Sequence, residues 1–286
     1  LDCGYPRFVY HKHVRDLFAH CELRSGAENC LAFASRGAAE RCAAFIGDAS
    51  VHEVDGVFAT GFAESAAPLA KAYWQHSGEG LSWRQAEAAL AGQPAQADLS
   101  SDEALRITVA QYMSVAPEDV FLFPTGMAAI FTAYRALASL APETASVQFG
   151  FPYVDTLKIQ QKFGRCHFLP RGDADDLAEF ATLAETEALM GLFCEFPANP
   201  LLVSPNLSAL KAICREQQIP LVVDDTVATL ANLALLDHCD ILATSLTKFF
   251  SGEGDVMGGS LVLNSTSPRY SELRSALEAV FEPQLW

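Results

Sequence analysis

From Val120 onward, short apolar runs alternate with longer stretches of helical period. The runs Val120–Phe123, Ser146–Phe149, Ala188–Phe196, Leu221–Val223 and Asp240–Ala243 are near-continuous, the pattern of strands buried on both faces. Between them, Ala128–Leu140 and Leu207–Gln217 carry apolar positions at helical spacing. The order predicts an α/β fold in which a mostly parallel sheet is flanked by helices. The first part of the chain has another texture, rich in Ala, with amphipathic helices predicted over Leu31–Ile46 and Trp83–Leu90. The expected division is therefore an N-terminal helical segment over 1–115 and an α/β domain over 116–286.

The chain has 286 residues, half of them apolar and 19% charged, a balance that supports a large core and excludes wholesale disorder. With 35 acidic and 19 basic residues its net charge is −16, which argues against nucleic acid as a partner. No apolar run reaches the roughly 18 to 20 residues of a membrane-spanning helix, so no membrane partner is expected. The eight cysteines form no CxxC pair and have no histidines at zinc-finger spacing. They read as reduced, mostly buried thiols of a cytoplasmic protein, with no metal site. The chain opens on Leu1, not Met, which leaves a preceding leader open, and it ends on the apolar segment Phe281–Trp286 directly after a helical stretch.

A parallel sheet binds its ligand beyond the carboxyl ends of its strands, so the residues just after each run carry the chemistry. Thr125-Gly126-Met127 follows a strand and opens a helix, where free backbone amides suit a phosphate. An ordinary strand-to-helix turn is the alternative; neither GxxxxGK[ST] nor GxGxxG is present. Lys248, in Ser245-Leu246-Thr247-Lys248, sits among apolar neighbours that would favour a neutral amine able to condense with an aldehyde, and the hydroxyls of Ser245 and Thr247 suit phosphate oxygens. Asp224 closes a very apolar strand and needs a partner, which a protonated ring nitrogen would supply. Helix capping, or a divalent metal shared with Asp225, competes for that role. Tyr153 could stack on a ring and Asn199 could donate to a phenolic oxygen, although taken singly each is more often a packing or turn residue.

Taken in order, Thr125-Gly126-Met127, Tyr153, Asn199, Asp224 and Ser245-x-Thr247-Lys248 resemble the Cys/Met-metabolism family of pyridoxal-phosphate enzymes, most nearly its fungal cystathionine γ-synthase branch. Cys3–Phe8, Tyr73–Gly78, Phe121–Phe131, Tyr153–Lys158, Cys194–Pro200 and Ser245–Gly259 support the likeness, which spans nearly the whole chain. The resemblance implies the large domain of the aspartate-aminotransferase fold, with pyridoxal 5'-phosphate as cofactor. It implies Lys248 as the covalent anchor and proton carrier, and Asp224 at the pyridine nitrogen. Tyr153 would stack on the ring, Asn199 would meet its phenolic oxygen, and Gly126, Met127, Ser245 and Thr247 would hold the phosphate. The family's Tyr-x-Arg phosphate clamp has no clear counterpart; Arg84 is a possible substitute or an exposed helix residue. Gly252-Glu253-Gly254-Asp255 replaces the usual Gly-His-Ser-Asp, a departure that fits the fungal branch.

The implied reaction is replacement of the γ-substituent of an O-acylhomoserine, with cysteine giving cystathionine in transsulfuration and methionine biosynthesis. The alternatives are γ-replacement by a carbon nucleophile in secondary metabolism, or an inactive paralogue serving as a binding subunit. A homodimer or homotetramer is implied. So is a C-terminal small domain beyond Trp286 that supplies the arginine for the substrate carboxylate, in which case this chain is incomplete and turns over little. A hydrolase binding metal through Asp224 and Asp225 would leave Lys248 and the ordered strand ends without a role.

Overall fold

The computed structural model describes residues 4–93 and 99–285; Cys3 and Trp286 lie outside the described residues. The chain divides into two units, one of Leu1–Asp98 with Gln284–Trp286 and one of Leu99–Pro283.

The first unit is not purely helical. It contains α1 (Lys12–Ser25), β1 (Asn29–Phe33), α2 (Arg36–Ile46), β2 (Ala49–Val54), β3 (Val57–Phe62), α3 (Ala67–Ser77) and α4 (Trp83–Leu90). The strands form an antiparallel sheet of order β1-β3-β2. The helix predicted from Leu31 begins later, because Leu31–Phe33 belong to β1 and the Ser35 side chain, accepting from Ala38 N at 3.1 Å, starts α2. The helix over Trp83–Leu90 forms where the sequence predicts it, held by a reciprocal cap between Ser82 and Gln85. Between β2 and β3, Asp55 and Gly56 both take positive φ, 47° and 87°, as a tight two-residue hairpin demands. Tyr73, Trp74 and Phe33 fill the core with edge-on and tilted ring contacts.

The second unit begins at α5 (Leu99–Met113), earlier than residue 115. That helix continues the texture of the preceding segment, so composition changes only at the first strand of the large sheet, although α5 packs on that strand. There follow β4 (Val120–Phe123), α6 (Gly126–Leu140), β5 (Ala145–Phe149), α7 (Val154–Phe163), β6 (Cys166–Leu169), α8 (Ala174–Thr186) and β7 (Leu189–Glu195). Then come α9 (Leu207–Glu216), β8 (Leu221–Asp224), β9 (Ile241–Thr244), β10 (Gly259–Leu263) and α10 (Tyr270–Val280). The seven strands lie in the order β4-β10-β9-β8-β7-β5-β6. The pairings from β6 through β9 are parallel, and β10 runs antiparallel to both β9 and β4. As the sequence predicts, the sheet is mostly parallel and its central strands are buried along their length. Because β10 alone is reversed, β4, β5, β7, β8 and β9 all deliver their carboxyl ends to one edge.

Six of the seven described cysteines, Cys21, Cys30, Cys42, Cys194, Cys214 and Cys239, are buried free thiols, and Cys166 is half-buried. Burial pushes the Cys21 and Cys42 thiols up to about 12, the behaviour of packing residues, not of nucleophiles.

Candidate active site

At the end of β4, the Thr125 hydroxyl accepts from Ala128 N at 2.9 Å and starts α6, leaving the Gly126 and Met127 amides without acceptors inside the helix. A side chain at Gly126 has no room: its Cβ would lie 2.6 Å from Ser245 Cβ and 2.9 Å from Ser245 Cα. The first turn of α6 therefore touches the end of β9 directly. On its other side, a Cβ on Gly259 would come within 2.7 Å of Gly126 N. Amides and a serine hydroxyl gathered in this glycine-lined cradle match the chemistry of a phosphate.

The ends of β8 and β9 are tied by one hydroxyl. Thr226 Oγ1 donates to Asp224 Oδ1 at 2.6 Å and accepts from Ser245 N at 2.8 Å, while Thr226 N donates to the same carboxylate oxygen at 2.9 Å. Both bonds fall on Oδ1, so the second oxygen of Asp224 takes no part in this clasp. Burial raises the Asp224 carboxyl above its ordinary range and the Thr226 bonds pull it back.

Asp225 is a different kind of residue. It is fully buried, its Oδ1 accepts from Thr244 Oγ1 at 2.5 Å, and its Oδ2 is buried without a hydrogen-bond partner. Burial, opposed by the Thr244 bond and helped by the charge of Asp224, pushes it up to about 7. Successive strand side chains leave by opposite faces, and these two carboxylates take different partners. The geometry does not support the alternative of a metal shared by Asp224 and Asp225, and no group of three potential ligands occurs among the described residues.

Lys248 corrects an expectation. It is exposed, not enclosed, with backbone angles φ −89° and ψ −116° in a single π-type turn over Leu246–Phe250. The turn sends Leu246 and Thr247 into the core and leaves Lys248 and Phe249 outside, so apolar neighbours in sequence do not cover the amine. Thr247 is also differently engaged: its hydroxyl donates to Gly258 O at 3.2 Å and accepts from Gly258 N at 3.0 Å, closing the 247–258 loop. Ser245 is the hydroxyl that borders the cradle. Met127 turns its side chain into the core and offers only its amide. Asn199 is exposed in the loop after β7, and Tyr153 is half-buried as the residue that opens α7. Arg84 belongs to the first unit, exposed, with its guanidinium 5.3 Å from the Trp83 ring centroid.

Two residues that matter were not singled out from the sequence. Thr226 is the clasp just described. Glu195, the last residue of β7, is buried, pairs in register with Asp224, and accepts from Tyr153 N at 2.7 Å. The signal for Glu195 was available: like Asp224, it is a carboxylate closing a continuous apolar strand.

A helix-start cradle at the end of β9 and a carboxylate at the end of β8 mark the sheet edge of an α/β fold as the place for a phosphorylated ligand. Residues 101–283 match the Cys/Met metabolism PLP-dependent enzyme family, and residues 13–82 match the fungal trans-sulfuration enzyme N-terminal domain. The chain belongs to the Cys/Met metabolism PLP-dependent enzymes. It is 44% identical over 177 residues to a cystathionine gamma-synthase of Neurospora crassa, covering 59% of this chain and 28% of that one. It is 34% identical over 296 residues to an L-2-amino-4-chloropent-4-enoate dechlorinase/desaturase of Streptantibioticus cattleyicolor, covering 96% of this chain and 59% of that one. The crystal structure of metB from Corynebacterium glutamicum shares the fold, with a TM-score of 0.52 at 23% identity over 62% of this chain and 45% of that one. The chain thus spans less than two thirds of the length of these relatives.

Proposed function

We propose that this site performs γ-replacement on an O-acylhomoserine, with cysteine as the incoming thiol and cystathionine as the product. The observation that carries the reading is the contact of Gly126 with Ser245, joined through Thr226 to Asp224, which sets phosphate-type donors and a half-buried carboxylate at the strand edge that leads to Lys248. Bound pyridoxal phosphate supplies an electron sink for charge developing at the carbons of an amino acid. The Gly126 and Met127 amides with Ser245 would hold its phosphate, Thr247 contributing through its remaining lone pair or by stiffening the loop. Asp224 Oδ2 would accept the ring N–H and keep that nitrogen charged. Tyr153 would stack on the ring and Asn199 would donate to its phenolic oxygen.

Lys248 would carry the cofactor and then act as base and acid in turn. Its amine would take the proton from Cα and then one from Cβ as the Cγ–O bond breaks and the γ-acyloxy group leaves as a carboxylate. The cysteine sulfur would then bond to Cγ with loss of its thiol proton, and the amine would return protons to Cβ and Cα. Its exposure suits this work, since the amine must reach successive atoms. The name of the Streptantibioticus relative, a dechlorinase/desaturase, favours a second reading, in which the γ-substituent is eliminated and not replaced by a thiol; γ-replacement by a carbon nucleophile is the other family alternative. As in the family resemblance, we take the active assembly to be a homodimer or homotetramer in the cytoplasm; no helix among the described residues is long and apolar enough to cross a membrane.

The test is to add pyridoxal phosphate to the purified chain, record the near-visible absorbance, reduce with borohydride and map the modified peptide. The expected result is one adduct at Lys248, absent in Lys248→Ala, with at most slow cystathionine formation from acylhomoserine and cysteine that the same substitution abolishes. An adduct that persists in Lys248→Ala would overturn the site. A specific adduct with a ketoacid or carbon-coupled product would favour the second reading.

A further inference from the structure

We propose that Glu195 is a positioning residue that fixes the two loops carrying Tyr153 and Asn199, using one buried carboxylate as the common acceptor for their backbone N–H groups. The proposal rests on the reading of Tyr153 and Asn199 as cofactor contacts. Glu195 ends β7, is only 4% exposed, and accepts from Tyr153 N at 2.7 Å; the backbone N–H of Asn199 is its second donor. Tyr153 begins α7 with no side-chain cap, so its own amide bond to Glu195 is what anchors the start of that helix to the sheet. Neither loop is otherwise bound to the other by sequence, since 42 residues separate Tyr153 from Glu195.

The carboxylate stands beside Asp224, its register partner on β8, and makes no ion pair among the described residues. A chain gains nothing by burying such a group for packing alone, because an apolar residue of similar size would avoid the desolvation cost. Burial, and then the charge of Asp224, pushes the Glu195 carboxyl up to about 8, and the amides of Tyr153 and Asn199 pull it back, so its oxygens hold the two loop ends as acceptors whether or not the group is ionised. Its position also places a carboxyl one strand from Asp224, so the ring-facing acid and the loop-holding acid are neighbours with separate duties.

The experiment compares the wild-type chain with Glu195→Ala and Glu195→Gln by amide hydrogen exchange without cofactor and by pyridoxal-phosphate titration. In Glu195→Ala, exchange at Tyr153 and Asn199 is expected to accelerate roughly 10- to 100-fold, with sheet amides unchanged, and the cofactor Kd to rise about 10-fold. Glu195→Gln keeps a side-chain carbonyl and should recover most of both. Where Glu195→Ala does not fold, Glu195→Asp, which withdraws the carboxyl by one methylene, replaces it with the same expectation. Unchanged exchange at Tyr153, or a Gln variant as impaired as Ala, would overturn the proposal. Altered exchange at both loops with an unchanged cofactor Kd would retain the anchoring and instead overturn the assignment of Tyr153 and Asn199 to the cofactor. The exchange arm needs no cofactor, so it separates the two failures.

Discussion

Buried acids answered by an arginine occur in both units, as Asp119 with Arg274 and Asp176 with Arg171 in the second, and one of them in the first unit contrasts with the carboxylates at the strand edge of the second. In the first unit Glu79 is 4% exposed, but Arg41 Nη2 lies 2.5 Å from one oxygen and the Tyr73 hydroxyl donates to the other at 2.5 Å. Burial and the Glu79 charge hold the Tyr73 hydroxyl well above its ordinary value, so it stays a donor. In the second unit Glu195, Asp224 and Asp225 cluster at one strand edge, and among the described residues none of them pairs with Lys, Arg or His. A buried carboxylate answered by a cation within the fold is part of the framework. One left unanswered by a cation holds its proton more tightly, as the raised carboxyls of Asp224, Asp225 and Glu195 do, and the one that meets a protonated pyridine ring can give that proton up.

The largest effect that can break this comparison lies in the first unit. Glu79→Ala strands Arg41 and the Tyr73 hydroxyl in the interior and is expected to cost roughly 3 to 5 kcal/mol of stability. Urea unfolding of the full chain measures it. A loss under about 1 kcal/mol would show that the pair is not part of the framework and that the contrast between the units is false.

Asp225 sharpens the contrast from the other side. Its carboxyl is raised from 3.8 to about 7 in the folded chain, chiefly by burial. The folded state holds this proton more tightly than the unfolded one, so the associated stability is fully present below the unfolded value and is lost as pH rises through about 7. The penalty at pH 8 amounts to at most about 4 kcal/mol. Asp225→Asn removes the ionisation while keeping the shape, so melting curves from pH 4 to 8 should lose part of their downward slope and the variant should gain on the wild type toward pH 8. Parallel wild-type and variant slopes would mean that Asp225 is solvated in solution.

These contrasts explain how much of the molecule was legible in the sequence. Fully buried parallel strands write themselves as continuous apolar runs, so β4 was read to the residue and β5, β7, β8 and β9 to within a residue at most ends. The half-exposed edge strand β6 leaves no comparable mark, whereas the reversed β10 does carry one, the apolar run Leu261-Val262-Leu263, although no strand was expected there. The small antiparallel sheet of the first unit was missed because β1 merges with α2 in one apolar stretch, although Asp55-Gly56 between two runs was a usable hairpin signal. At the site, residues at strand ends were legible because the sheet dictates where ligands bind. What the sequence could not show was direction: the π-type turn exposes Lys248, Thr247 bonds to Gly258, and Asp224 and Asp225 take separate partners. Those outcomes depend on contacts between segments far apart in the chain.

The smallest expected effect compares two threonines. Thr60 in the first unit is fully buried and its hydroxyl donates to Ala39 O at 2.8 Å, tying β3 to α2. Thr226 is half-buried and its hydroxyl links Asp224 to Ser245. Replacing either with Val keeps the shape, removes one hydroxyl, and should cost about 1 to 2 kcal/mol of stability. The two variants should part at the cofactor. In Thr226→Val the Asp224 carboxylate loses one of the two donors that fix its orientation toward a ring N–H, and Ser245 N loses its acceptor beside the cradle. Pyridoxal-phosphate Kd should therefore rise by about 10-fold in Thr226→Val and stay unchanged in Thr60→Val, with Thr226→Ser near the wild type. Equal cofactor affinities in the two Val variants would reduce Thr226 to a framework residue like Thr60 and remove the link between the phosphate cradle and Asp224 on which the proposed site depends.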